Sequence, residues 1–153
     1  MVANSSNALA NLDEYLNDVV LVTGEIDGDR TKPVNDSVLD SIRQFCSNHA
    51  IPLLIEADGS RQKPLKGWAE HEPPIPAFAD HVVQVVGLSG LGKPLTQEFV
   101  HRPEVFSKLS KVKSGEMIGV DAILRVLLHS DGARKNFPSG ARLTVLLNQA
   151  DTP

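Results

Sequence analysis

The feature that most constrains this chain is a pair of short, continuous apolar runs flanking one helical period. Val19-Val20-Leu21-Val22-Thr23 is β-branched and followed by Gly24, the pattern of a strand buried on both faces. After a polar loop from Gly24 to Asp36, the apolar residues Val38, Leu39, Ile42, Phe45 and Cys46 recur at helical spacing, with Asp36 or Ser37 as the candidate cap. Pro52-Leu53-Leu54-Ile55-Glu56-Ala57 is the second run. Strand, helix, strand in this order is a βαβ unit, which requires parallel pairing and sets the class as α/β.

Downstream, residues 58 to 80 carry Pro64, Pro73, Pro74 and Pro76 among many charges, with neither period evident. So long an irregular stretch inside a compact domain is usually functional or disordered. His81 to Val86 reads as a third strand, closed by a Gly-rich turn from Gly87 to Gly92. A helix is expected near Pro103, carrying Val105, Phe106 and Leu109, because proline suits a first turn. A second is expected with Asp121 as its cap, carrying Ile123, Leu124, Val126, Leu127 and Leu128 and ending near Gly132. Leu143 to Leu147 is a fourth strand that delivers Asn148-Gln149-Ala150-Asp151. With 153 residues, one core is the expectation: a lead-in over 1–18 and a single α/β domain over 19–153.

Charge narrows the partners. A net charge of -4 argues against a broad electrostatic grip on nucleic acid or on an anionic membrane, while leaving small anionic ligands open. The single cysteine, Cys46, excludes an internal disulfide framework and a multi-cysteine zinc site. The start MVANSSNALAN lacks the apolar segment of a secretory signal, and no apolar run approaches the ~20 residues of a membrane span, so the cytoplasm is the expected compartment.

Glu56 and Asp58 fall at the carboxyl end of the second apolar run, where ligands of open α/β sheets bind. Asp58 is the better candidate for a Walker B carboxylate holding Mg²⁺ beside a phosphate; the plain alternative pairs Glu56 with a cation and uses Asp58-Gly59 as a turn. Ser60, Arg61, Lys63 and Lys66 follow, bringing three cations toward those carboxylates, and Glu70-His71-Glu72 adds an imidazole between two acids. Consecutive residues do not all point one way, so Glu70, His71 and Glu72 are not expected to be three ligands of one ion. His71 is a metal candidate, although a lone loop histidine is more often solvated than metal-bound. Gly87 to Lys93 nearly matches the phosphate-loop pattern G-x-x-x-x-G-K-[ST], but Pro94 lacks both the hydroxyl and the N–H needed at the last position. Asn148 and Asp151 resemble the guanine-reading N-K-x-D signature, with Gln149 replacing the lysine.

Read together, IEADGSRQKPLKGWAEHEPPIP (Ile55 to Pro76), VVGLSGLGKPL (Val85 to Leu95), VHRPEVF (Val100 to Phe106) and LLNQAD (Leu146 to Asp151) resemble the YqeC family over about Val19 to Asp151. That resemblance implies a P-loop NTPase-like fold, an open and mainly parallel sheet with flanking helices. It also implies an accessory role in maturing selenium-dependent molybdenum hydroxylases, with Mg²⁺ and GTP or ATP bound by the complete protein and a hydroxylase or its maturation proteins as partners. It makes Asp58 the Walker B-like carboxylate, and Ser60, Arg61, Lys63, Lys66, Glu70, His71, Glu72, His101 and Arg102 the characteristic polar set. Family members usually begin with a G-G-G-K-T loop and a threonine-rich strand, neither of which precedes Val19 here. The expectation is therefore a truncated or divergent member with weak nucleotide affinity and negligible turnover of its own. Two readings from other classes compete: a metal-dependent hydrolase or transferase centred on Asp58, Glu70, His71 and Glu72, and a non-catalytic interaction module presenting the 58–80 loop.

Overall fold

The computed structural model describes residues 1–151, which form two compact units dividing after Ile55. Among the described residues no helix is long and apolar enough to cross a membrane.

The first unit, Met1–Ile55, is built on helix α1 (Asp36–His49). The expected apolar stripe is its inner face: Val38, Ile42 and Cys46 are buried with Ala3, Leu9 and Leu12. The cap is one residue earlier than expected. Asn35 is extended, and its Oδ1 accepts the Val38 N–H at 2.9 Å, answering one of the helix's orphan donors. A minimal hairpin, β1 (Ile26–Asp27) with β2 (Arg30–Thr31), occupies the polar loop before it.

Neither apolar run of this unit is a strand, which corrects the βαβ expectation. Along 19–23 exposure alternates: Val20 and Val22 pack toward α1, while Val19 is 102% exposed and Leu21 points outward. The ladder position beside it is taken by the chain's first residues, with Ala3 N–H donating to Thr23 O at 2.8 Å and Thr23 N–H to Met1 O at 3.0 Å. Only an isolated parallel bridge, Val2 to Thr23, results. The run from Pro52 to Ala57 is unpaired, and Leu54 is 91% exposed. Apolar β-branched composition makes a segment extended; becoming a strand also needs a partner for its N–H and C=O groups, which no local pattern specifies.

The second unit runs from Glu56 onward. Here the sequence expectations for the parallel strands hold. β4 (His81–Gly87) and β6 (Arg142–Asn148) pair in parallel register from His81 opposite Arg142 to Gly87 opposite Asn148. β3 (Leu65–Lys66) and β5 (Val100–His101) form a second parallel pair inside what looked like irregular sequence. Helix α2 (Pro103–Ser110) starts at its proline as expected, and α3 (Val120–Leu128) follows. The cap of α3 is Gly119 without a side-chain bond, so Asp121 lies within the first turn, and the helix ends at Leu128, before Gly132. Leu65, Trp68, Leu95, Val100, Phe106 and Ile118 belong to the core that fixes β3 and β5 against the helices. Gly67 makes that packing possible: a Cβ there would fall 2.7 Å from Phe106 N and 2.8 Å from Arg102 O. Mixed helices with small parallel and antiparallel sheets place the chain in the α/β class.

A candidate functional site at a buried charged cluster

β3 and its partner β5 bring four charges together. Lys66 ends β3 and is buried, its side chain 7% exposed. Its ammonium donates to the Asp58 carboxylate, to Gly59 O at 2.8 Å, and lies 3.0 Å from Glu72 Oε2. Glu72 in turn receives both guanidinium nitrogens of Arg102, with Nη2 to Oε1 at 3.0 Å, and the Ala69 N–H at 3.2 Å. Two cations and two carboxylates therefore neutralise one another around the buried Lys66, with the side chains of Asp58, Glu72 and Arg102 14%, 13% and 25% exposed, the pairing that a charge taken out of water needs.

The Glu72 carboxyl records the balance. Burial alone pushes it up, but hydrogen bonds from Arg102 and Lys66, the Ala69 N–H and the Lys66 charge together hold it at about 2. His101 faces Lys66 across the β3–β5 pair. Burial lowers its pKa, the positive fields of Arg102, Lys66 and Arg61 lower it further, and Glu72 opposes them. The imidazole is held neutral at pH 7.

Several of the expected site residues are gathered here: Asp58, Lys66, Glu72, His101 and Arg102. Ser60, Arg61 and Lys63 lie in the adjoining turn, closed by Lys63 N–H to Ser60 O at 3.1 Å and Ser60 Oγ to Lys63 O at 2.7 Å. Glu56 is exposed, with Oε1 beside Gly59. Glu70 is exposed and the His71 side chain is 79% exposed, its Nε2 3.9 Å from Glu72 Oε1. Of the acid-imidazole-acid run only Glu72 turns inward, as the alternation argument requires. Asn148 ends β6 and its Oδ1 accepts Gln149 N–H at 2.8 Å, while Asp151 sits in an exposed turn beyond it. The end of β4 adjoins the 60–64 segment, since Gly87 N–H donates to Pro64 O at 3.0 Å and a Cβ on Gly87 would meet Pro64 Cα at 2.7 Å and Gln149 Oε1 at 2.5 Å.

Two residues had no sequence signal. Lys135 Nζ donates to Ala69 O at 3.0 Å and Asn136 Nδ2 to Pro73 O at 3.1 Å, clamping both ends of the turn that carries Glu72. They act across 66 and 63 residues of sequence. Only the ease with which asparagine adopts positive φ, 56° here, distinguishes Asn136 beforehand.

As arranged, these residues do not fit a resident Mg²⁺–nucleotide. The Asp58 carboxylate is committed to Lys66, and among the described residues no three His, Cys, Asp or Glu side chains converge on a metal position. Four N–H groups of the Gly-rich loop after β4 are already engaged: Gly87 on Pro64 O, Leu91 on Leu88 O, Gly92 on Ile118 O and Lys93 on Gly90 O. A phosphate cradle needs those donors free.

Fold and cluster together define an α/β protein whose polar centre is a buried, charge-balanced network. The family model described as YqeC protein matches residues 3–104, a span that contains the whole cluster from Asp58 to Arg102. The uncharacterized protein YqeC of Escherichia coli (strain K12) is 37% identical over 97 residues, which are 63% of this chain and 38% of that protein. The chain belongs to the YqeC family. It matches well under two thirds of that relative's length. No solved structure matches the chain.

Proposed function

We propose that this chain is the charged-cluster portion of an accessory protein that serves the maturation of selenium-dependent molybdenum hydroxylases. The observation that carries the reading is the network of Asp58, Lys66, Glu72 and Arg102, costly to remove from water and arranged inside the family-matched span. Folding alone rarely favours a buried lysine with three partly buried charges over apolar residues of the same volume. Binding of Mg²⁺ with GTP or ATP, on a P-loop NTPase-like sheet, is assigned to the longer family proteins. In those proteins Asp58 and Lys66, released from the ion pair they make here, would join Ser60, Arg61 and Lys63 as the phosphate-side residues, with Asn148 and Asp151 on the base side.

Calorimetric titration of GTP and of ATP, each with Mg²⁺, into a full-length family member and into this chain tests the nucleotide part. Binding by the full-length protein alone, lost in a folded Asp58→Asn variant, is the expected result; unchanged affinity in that variant removes Asp58 from the site.

One observation favours a second reading, an interaction module. The Ala69–Pro73 turn is held by Lys135, Asn136, Arg102 and Lys66, yet displays Glu70 and His71 to solvent. A rigidly based, solvent-facing polar tip is what a docking loop requires. Loss of hydroxylase capture on Glu70→Ala/His71→Ala, with the fold intact, is the outcome that favours it.

A further inference from the structure

The turn beside the cluster has a backbone that its side chains do not favour. Arg61 (φ 53°) and Gln62 (φ 61°) both adopt positive φ at the two central positions of the turn closed by Lys63 N–H to Ser60 O. Positive φ at both centres is the pattern of a type I′ turn, where Asn-Gly or Gly-Gly is the low-strain choice. Each non-glycine residue there costs about 1 kcal/mol. Strain of this kind persists where the surroundings hold it, and it concentrates at ligand-binding positions.

The surroundings show what holds the turn and what it offers. Gly59 O is drawn inward by the Lys66 ammonium at 2.8 Å. In a trans peptide the following N–H, that of Ser60, points the opposite way, out of the cluster. The N–H groups of Gly59, Ser60, Arg61 and Gln62 donate to no protein acceptor among the described residues. Charge points the same way. Lys66 and Arg102 are balanced by Asp58 and Glu72, whereas Arg61 and Lys63 make no ion pair among the described residues; Asp58, next to the turn, is taken by Lys66, and Glu56 Oε1 lies beside Gly59. Successive unpaired N–H groups in a turn, beside two cations without an ion pair, are the ingredients of an anion-binding site.

We propose that the Gly59–Lys63 turn is an oxyanion site for a phosphate-type group, held by the Ser60–Gln62 N–H groups with Arg61 and Lys63 as its cations. It uses neither a Gly-rich phosphate loop nor a metal, and it rests on the reading of the 58–102 cluster as the functional site. Arg61 is the specificity-bearing residue: it sits at the first central position of the turn, and its field already reaches His101. A bound anion shields His101 from that field, so the imidazole reports occupancy by titrating at higher pH.

The test is an amide and imidazole NMR titration of this chain with inorganic phosphate, against sodium chloride at matched ionic strength. Saturable shifts centred on Gly59 to Lys63, with a rise in the His101 pKa, are expected. Arg61→Gly, which keeps the positive φ without strain, weakens phosphate binding about tenfold, the worth of one charge-assisted hydrogen bond. Glu56→Gln tightens it. Metal-free ATP run in parallel separates the sources: shifts confined to the turn with both ligands indicate a free oxyanion, and added shifts at Asn148 to Asp151 with ATP indicate a nucleotide phosphate, either of which upholds the site. Equal shifts with chloride, no shift at the turn, or phosphate binding unchanged in Arg61→Gly overturns it. None of these readouts depends on a hydroxylase, so the accessory role stands or falls separately.

Discussion

Glu72→Gln removes the charge at the hub of the cluster while keeping its shape. The carboxylate receives Arg102, Lys66 and the Ala69 N–H, and its side chain is 13% exposed. Its pKa falls from an ordinary 4.5 to about 2 on folding. At ~1.4 kcal/mol per unit, that depression contributes on the order of 3 kcal/mol of stability at neutral pH. The independent route, removing one partner from a buried pair, gives roughly 3–5 kcal/mol, less here because Arg102 is partly solvated. Glutamine still offers an oxygen to one donor, so a loss of about 2–3 kcal/mol is expected at pH 7. The sign with pH follows from the depressed value: the contribution is complete above 4.5 and is lost as pH falls toward 2. By about pH 3 the wild-type advantage from this group has dropped to less than half. Urea denaturation of both proteins at pH 7 and pH 3 reads the difference directly. A gap under about 0.5 kcal/mol at pH 7, the scale of an exposed ion pair, or a gap independent of pH, refutes the buried-hub argument.

His101, with its pKa lowered from 6.5, is neutral in the folded protein, so stability is full above 6.5 and falls as pH drops below that value and the unfolded state takes up the proton first. His101→Gln flattens the slope of stability against pH just below 6.5, measured by thermal melts across that window. Asn35→Ala deletes the cap of α1, and with it the Val38 bond and the Nδ2 contact to Asn4 O at 3.3 Å, at a cost of about 1 kcal/mol in urea titrations. Asn136→Ala frees Pro73 O and loosens the 69–73 turn, which accelerates hydrogen exchange at Ala69 and Glu72 while leaving α1 protection unchanged.

How legible the chain was depended on whether the governing interaction was local. α1 and α2, with their apolar spacing and the proline at the start of α2, were readable because a helix satisfies its own backbone. β4 and β6 were readable as apolar runs that also found each other, in register over their full length. The runs at 19–23 and 52–57 carried the same signal and failed, because pairing is decided elsewhere in the fold: Met1–Ala3 occupies one edge, and Leu54 is 91% exposed. In the site, the EADGS, PLK and AEHEP phrases gave Asp58, Lys66 and Glu72 but not their connection. Asp58, at the end of an apolar run, gives no sign in the sequence of its ion pair with Lys66, eight residues on. Lys135 and Asn136 were invisible for the same reason, as was β3, whose two residues are defined only by β5.

The most direct measurement is the selenium content and activity of a selenium-dependent molybdenum hydroxylase purified from cells that lack the family protein, complemented either with its full-length wild type or with a folded Asp58→Asn form. The account predicts that wild type restores both and that Asp58→Asn restores neither. A hydroxylase that is selenium-loaded and active without the protein contradicts it.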